Sequence, residues 1–152
     1  DISYIIYEAN KRNLSICLNP APFGPEVLKY PLDLIDFLIV NETEATDLIG
    51  TSSPDQLLDA LAATWPRAQI ALTLGASGAQ YRSPQEQFHL PAPQIQALDT
   101  TGAGDTFIGY FLQGLSTGIG TRDAMARAIE AAALCVTRPG AIDSIPSSTE
   151  ID

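Results

Sequence analysis

Histidine and cysteine are nearly missing from this chain, with one of the first and two of the second in 152 residues. Cys17 and Cys135 each sit inside an apolar segment, so a disulfide framework is not expected, and small core residues in a reducing cytoplasm are. The lone His89 lies in the alternating stretch Gln87-Phe-His-Leu90 and has no second histidine to help it hold a metal. A strand-surface position is expected for it. Basic residues are also scarce: 8 Lys and Arg against 18 Asp and Glu give a formal net charge of -10. Nucleic acid or an acidic membrane would need a basic patch, so neither is an expected partner. ATP is not excluded, because backbone amides, a helix end and a divalent metal can hold its phosphates. No run approaches the roughly 18 apolar residues of a membrane span. No signal-peptide pattern opens the chain.

What is present is a 45% hydrophobic chain of one domain's length, without repeats, low-complexity tracts or linkers. Ile2 to Asn13 reads as an amphipathic helix with Ile2, Ile5, Ile6 and Ala9 on one side. The apolar runs Leu14 to Leu18, Ile35 to Val40 and Ile70 to Leu74 read as strands. Each ends in a polar loop: Asn19-Pro-Ala-Pro22, Asn41-Glu-Thr-Glu44 and Gly75-Ala-Ser-Gly78. The second loop passes into a helical pattern with Ala45, Leu48 and Ile49 that stops at Gly50. Ser53-Pro54 opens a helix carrying Leu57, Leu58 and Leu61, with proline at its first position. Tyr81-Arg82 and Phe88 to Leu90 suggest a hairpin around Ser83-Pro-Gln-Glu. Thr121 is the expected N-cap of a last helix with Met125, Ala128, Ile129, Ala132, Cys135 and Val136 at helical spacing. Strands alternating with helices call for an α/β fold, a parallel sheet flanked by helices, with ligands beyond the carboxyl ends of the strands.

The most informative run is Asp99-Thr-Thr-Gly-Ala-Gly-Asp-Thr-Phe107, followed by Ile108, Phe111, Leu112 and Leu115. Gly102 and Gly104 allow a turn whose amides face one point, and the helix that follows adds its positive end, so a phosphoryl group is the natural guest. Asp105 is the odd member, because beside a phosphate it repels the ligand unless it works on a substrate proton. Taken alone, the glycines can simply shape a tight turn and Asp105 can simply cap a helix.

The whole string resembles the second signature of the ribokinase family of carbohydrate kinases, also called the phosphofructokinase B family. The resemblance implies a ribokinase-like, Rossmann-like three-layer fold and ATP-dependent transfer of the γ-phosphoryl group to a sugar hydroxyl. Asp105 would take the hydroxyl proton, and the amides of Gly102, Ala103 and Gly104 would stabilise the transferring group. It covers nearly the whole chain and matches about the C-terminal, nucleotide-binding half of a family member. Together with an opening at Asp1 rather than Met, it leads to the expectation that residues 1–152 lack the sugar-binding half and lid of a longer enzyme.

The supporting motifs carry two readings each. Asn41-x-x-Glu44 is a capping box on spacing alone, whereas the resemblance places Asn41 and Glu44 near magnesium and phosphate through water; the two are compatible. Thr73-Leu-Gly-Ala-Ser-Gly78 is a plain strand-to-loop turn, or by resemblance a nucleotide-site loop with Thr73, Gly75, Ser77 and Gly78 as members. Asn19-Pro-Ala-Pro22 is a rigid turn, and also a phrase typical of ribokinase-like members. Val136-Thr-Arg-Pro-Gly-Ala141 closes the last helix, while the resemblance maps Asp99, Thr101, Cys135, Arg138, Gly140 and Ser144 onto a potassium site. One departure stands out: Ile129 occupies a position where family members often carry Asn or His near the adenine, which leaves GTP or another donor open. The implied partners are a small sugar and a nucleotide, with a homodimer compatible for the full-length enzyme. Other sugar or nucleoside kinases of the family, or a nucleotide-binding module without turnover, remain alternatives.

Overall fold

The computed structural model describes residues 1–50, 53 and 56–151. The chain divides into two compact units, Asp1–Leu74 with Gln80–His89, and Gly75–Ala79 with Leu90–Asp152. A five-stranded sheet runs in the order β1 (Cys17–Leu18), β2 (Phe37–Asn41), β3 (Gln69–Thr73), β4 (Ala79–Arg82), β5 (Gln87–Leu90). β1, β2 and β3 pair in parallel, with Leu38 opposite Ile70 and Val40 opposite Leu72. The β4 and β5 strands form the expected hairpin and make the sheet mixed. Its turn is closed by Ser83, whose amide donates to the Glu86 carbonyl at 2.9 Å and whose hydroxyl accepts the Gln85 and Glu86 amides. Tyr81 stacks on Phe88 at 5.0 Å between ring centres, and His89 points to the exposed side of β5.

In the first unit the three central residues of β2 and of β3 are all buried, which is how a parallel strand covered on both faces reads. Helices α2 (Glu42–Ile49) and α3 (Leu57–Thr64) set Ala45, Leu48, Leu57, Leu58 and Leu61 against Leu38, Val40, Ile70 and Leu72. The α2 helix stops where expected, at Gly50, whose left-handed φ of 72° lets its amide reach the Thr46 carbonyl. Pro54, expected at the start of α3, lies outside the described residues. The first strand is shorter than its apolar run. Ile16 bonds to Asp36 and Phe37 instead, its amide donating to the Asp36 carboxylate at 2.8 Å, and Leu14 stays exposed. The opening helix α1 (Ile2–Lys11) is capped by the Asp1 side chain, yet of its expected apolar face only Ile6 is buried.

The second unit is built on α4 (Ala103–Thr117) and α5 (Thr121–Cys135). Phe107, Phe111 and Gly114 form the buried stripe of α4. A Cβ on Gly114 would stand 2.7 Å from the Ala124 Cβ, so the absent side chain is what lets the two helices approach. The expected cap at Thr121 is one residue late. Gly120 holds φ 83°, ψ 150°, a conformation open in practice to glycine alone, and its carbonyl accepts the first helical bond from Ala124 at 2.9 Å. Thr121 is therefore the first residue inside the helix.

Candidate active site

In the second unit, Asp99 fixes the approach to α4. One carboxylate oxygen accepts the Thr101 amide at 2.9 Å and the other the Gly140 amide at 3.0 Å. These two bonds, Thr101 first, hold the Asp99 carboxyl below the usual carboxylate range. The chain then turns at Gly102, where φ is +80° and a Cβ would lie 3.1 Å from the Ala141 carbonyl oxygen. Gly102 is thus glycine for its own conformation and for space.

Gly104 is different. It is helical, and a Cβ there would meet nothing within 4 Å. Nor does any side chain cap α4. The Ala103 amide donates to the Thr100 carbonyl at 3.3 Å and the Thr106 amide to Gly102 at 2.9 Å, but the Gly104 and Asp105 amides have no protein acceptor among the described residues. Two donors of the first turn, backed by the helix dipole, therefore stand open beside the exposed Asp105 carboxylate. Next to it Thr106 is 2% exposed, and its hydroxyl has no hydrogen-bond partner among the described residues. Nothing in the sequence signalled that.

Around Asp99 the residues expected at a cation site converge within the same unit. The fully buried Ser144 hydroxyl lies 3.2 Å from the Cys135 sulfur and donates to the Ala141 carbonyl, while the Cys135 thiol points to the Thr101 carbonyl at 3.9 Å. The Arg138 side chain instead pairs with Glu150 at 2.5 Å. This ion pair and the Ser147 bonds bring Glu150 down to about 2.

The first unit carries Asn41 and Glu44, and here the capping box is complete. The Asn41 side chain accepts the Glu44 amide at 2.9 Å, and Glu44 Oε2 accepts the Asn41 amide at 3.1 Å. Glu44 is only 8% exposed. Asn19, read from spacing only as part of a rigid turn, joins this group: its side-chain amide donates to the Ile39 carbonyl at 2.8 Å and to Glu44 Oε2 at 3.4 Å. With Oε2 engaged twice, Oε1 is the oxygen of Glu44 left to serve a ligand. Among the described residues no group of three or more His, Cys, Asp and Glu lies together as a direct metal site. A single carboxylate oxygen still suits Mg²⁺, which keeps most of its waters. Thr73, at the end of β3, donates its hydroxyl to the Val40 carbonyl at 3.4 Å.

The glycine loop after β3 belongs to the second unit. Gly75 to Ser77 forms one 3-10 turn, closed by the Gly78 amide on the Gly75 carbonyl at 3.0 Å. Gly75 has φ +54° with open space where a Cβ would be, whereas a Cβ on Gly78 would lie 2.0 Å from the Leu90 carbonyl. Gly75 is open to a ligand; Gly78 is filled by its own chain. The segment on which Gly78 packs also walls a hollow of about 320 Å³, formed by Leu90 to Pro93 with Ala126, Ile129 and Glu130.

The family described as pfkB family carbohydrate kinase matches residues 5–148. A ribokinase of Schizosaccharomyces pombe is 36% identical over 155 residues, covering 95% of this chain and 48% of its own length. The solved structure of ribokinase from Cryptococcus neoformans in complex with ADP superposes with a TM-score of 0.84 at 31% identity, over 99% of this chain and 54% of that one. Ribokinase from Arabidopsis thaliana, complexed with ribose and ATP, gives 0.81 at 30% identity, over 97% and 49%. The chain thus spans about half the length of the relatives it matches.

Proposed function

Since this chain belongs to the pfkB family of carbohydrate kinases, we propose that it is the nucleotide-binding half of an ATP-dependent sugar kinase resembling ribokinase, its acceptor half lying outside residues 1–152. The observation that carries this reading is the start of α4, where two amides with no acceptor among the described residues and a carboxylate share one exposed turn. The amides of Gly104 and Asp105 meet charge on the transferring phosphoryl oxygens, and Asp105 takes the proton of the attacking sugar hydroxyl as the new P–O bond forms and the bond to the leaving ADP oxygen breaks. Catalysis is positioning and electrostatics, with no phosphoenzyme. Gly75 and Ser77 lie along the nucleotide, and Ile129 gives the base an apolar wall.

Glu44 Oε1, held in place by Asn41 and Asn19, would accept from a magnesium-bound water. Mg²⁺ supplies charge compensation for the phosphates when bound. The oxygen-rich set of Asp99, Ser144 and the carbonyls of Thr101, Cys135, Arg138 and Gly140 suits K⁺. An ion held there would stiffen the turn that Asp99 already ties to Gly140. The cytoplasm is the proposed setting, where the free Cys17 and Cys135 stay reduced. Burial pushes the Cys17 thiol up to about 11, so it is unreactive there.

Sugar phosphorylation is measured with the 152-residue chain and with a full-length enzyme that carries it. The full-length enzyme should turn over pentose, with rates higher in potassium than in lithium at equal ionic strength, and the chain alone should bind Mg·ATP with little turnover. Robust turnover by the chain alone would overturn the half-site reading. Binding without turnover in both proteins would favour a nucleotide-binding module.

A further inference from the structure

The hollow beside the glycine loop has an unusual polar inventory for a site that must recognise one base. Its volume, about 320 Å³, is at the lower end of the roughly 300–1,000 Å³ of small-ligand sites. Its walls are Leu90, Ala92, Ala126 and Ile129, with Pro91 and Pro93 supplying no backbone N–H. Ile129 is 6% exposed, so on the donor-site reading a base would lie against a buried aliphatic wall. Among the described residues the one polar side chain on the lining is Glu130, and its carboxylate makes no hydrogen bond or ion pair there.

A carboxylate only accepts hydrogen bonds. The Watson–Crick edge of adenine offers it one donor, the N6 amino group, next to the N1 lone pair, which would face the second carboxylate oxygen. Guanine offers N1–H and the N2 amino group side by side, two parallel donors that a carboxylate takes as a fork. The lining has no side-chain donor to favour adenine N1 in compensation. We propose that the donor site takes guanosine triphosphate at least as well as ATP, with Glu130 as the residue that sets the preference. This rests on the donor-site reading above and deepens it.

The test is calorimetric titration of the 152-residue protein with Mg·ATP and Mg·GTP, repeated for Glu130→Ala and Glu130→Gln. Position 130 is exposed, so both variants keep the fold. GTP should bind with a Kd equal to or below that of ATP. Both variants should weaken GTP by about tenfold, the worth of one charge-assisted hydrogen bond, and weaken ATP less. Tighter binding of ATP than of GTP in the unmodified protein, or a ratio that neither variant moves, would overturn the proposal. Absence of magnesium-dependent binding of either nucleotide would instead overturn the donor-site reading on which it stands.

Discussion

Two helices of this protein begin in opposite ways. At α2 the protein closes its own helix end: Asn41 takes the Glu44 amide, Glu44 returns the bond, and Asn19 steadies the carboxylate from a neighbouring strand end. At α4, among the described residues, no side chain does this, and the amides of Gly104 and Asp105, next to a carboxylate, have no protein acceptor. Side-chain capping stabilises a helix by about 1 kcal/mol. The α4 start lacks it, at a turn that excludes a Cβ at Gly102 and leaves Cβ space open at Gly104, which supports the proposal that it holds a ligand. On the proposed reading the two ends differ in what their residues serve: folding first at α2, phosphate first at α4.

The largest break in that contrast comes from Asp105. Asp105→Asn should lower turnover of the full-length enzyme by about 10²-fold to 10⁴-fold, the range of general base catalysis, with nucleotide affinity unchanged or slightly improved. Steady-state kinetics beside calorimetry check this, and near-normal turnover would remove Asp105 from the mechanism. Gly102→Ala follows. A left-handed residue with a side chain costs roughly 1–2 kcal/mol, and the Cβ would also press on the Ala141 carbonyl, so urea denaturation should register a loss of at least that size. Asn41→Ala should cost about 1 kcal/mol by the same measurement, since it removes one capping bond while Glu44 keeps Asn19. An unchanged midpoint would mean that the α2 cap contributes nothing.

The smallest effect is a pH dependence outside both helix starts. Glu150 lies at about 2, below its ordinary 4.5, because Arg138 and Ser147 favour the charged form. Its contribution is therefore present above the ordinary value and fades as pH falls toward 2. Glu150→Gln should match the unmodified protein in stability at the acid end of that window and fall slightly below it at neutral pH. A difference that grows on acidification would contradict the assignment.

How legible each feature was in the sequence follows from how local its cause is. The Asn41 and Glu44 box and the Gly50 stop are set by residues within one or two turns, and both appear where spacing puts them. Thr121 misled because a glycine conformation, invisible in composition, moved the cap to Gly120. Asn19 read as part of a rigid turn. Its partners Ile39 and Glu44 lie 20 and 25 residues away, and only the parallel pairing of β1 with β2 brings them within reach. The α1 periodicity correctly gave a helix but not its burial, which depends on what lies against it. At the site, the motif around Gly102 identified the turn, yet the different reasons for its two glycines emerged only from backbone angles and Cβ space.

The most direct test of the central claim, that the open start of α4 holds phosphate, is Gly104→Val measured for both nucleotide affinity and stability. Among the described residues a Cβ at 104 has open space outside its own helix backbone, and valine is a better helix former than glycine, so the urea midpoint should hold or rise slightly. Mg·ATP affinity should fall by at least about tenfold as the branched side chain fills the space the phosphate needs. A variant that keeps its stability and binds Mg·ATP as tightly as the unmodified protein would contradict the account.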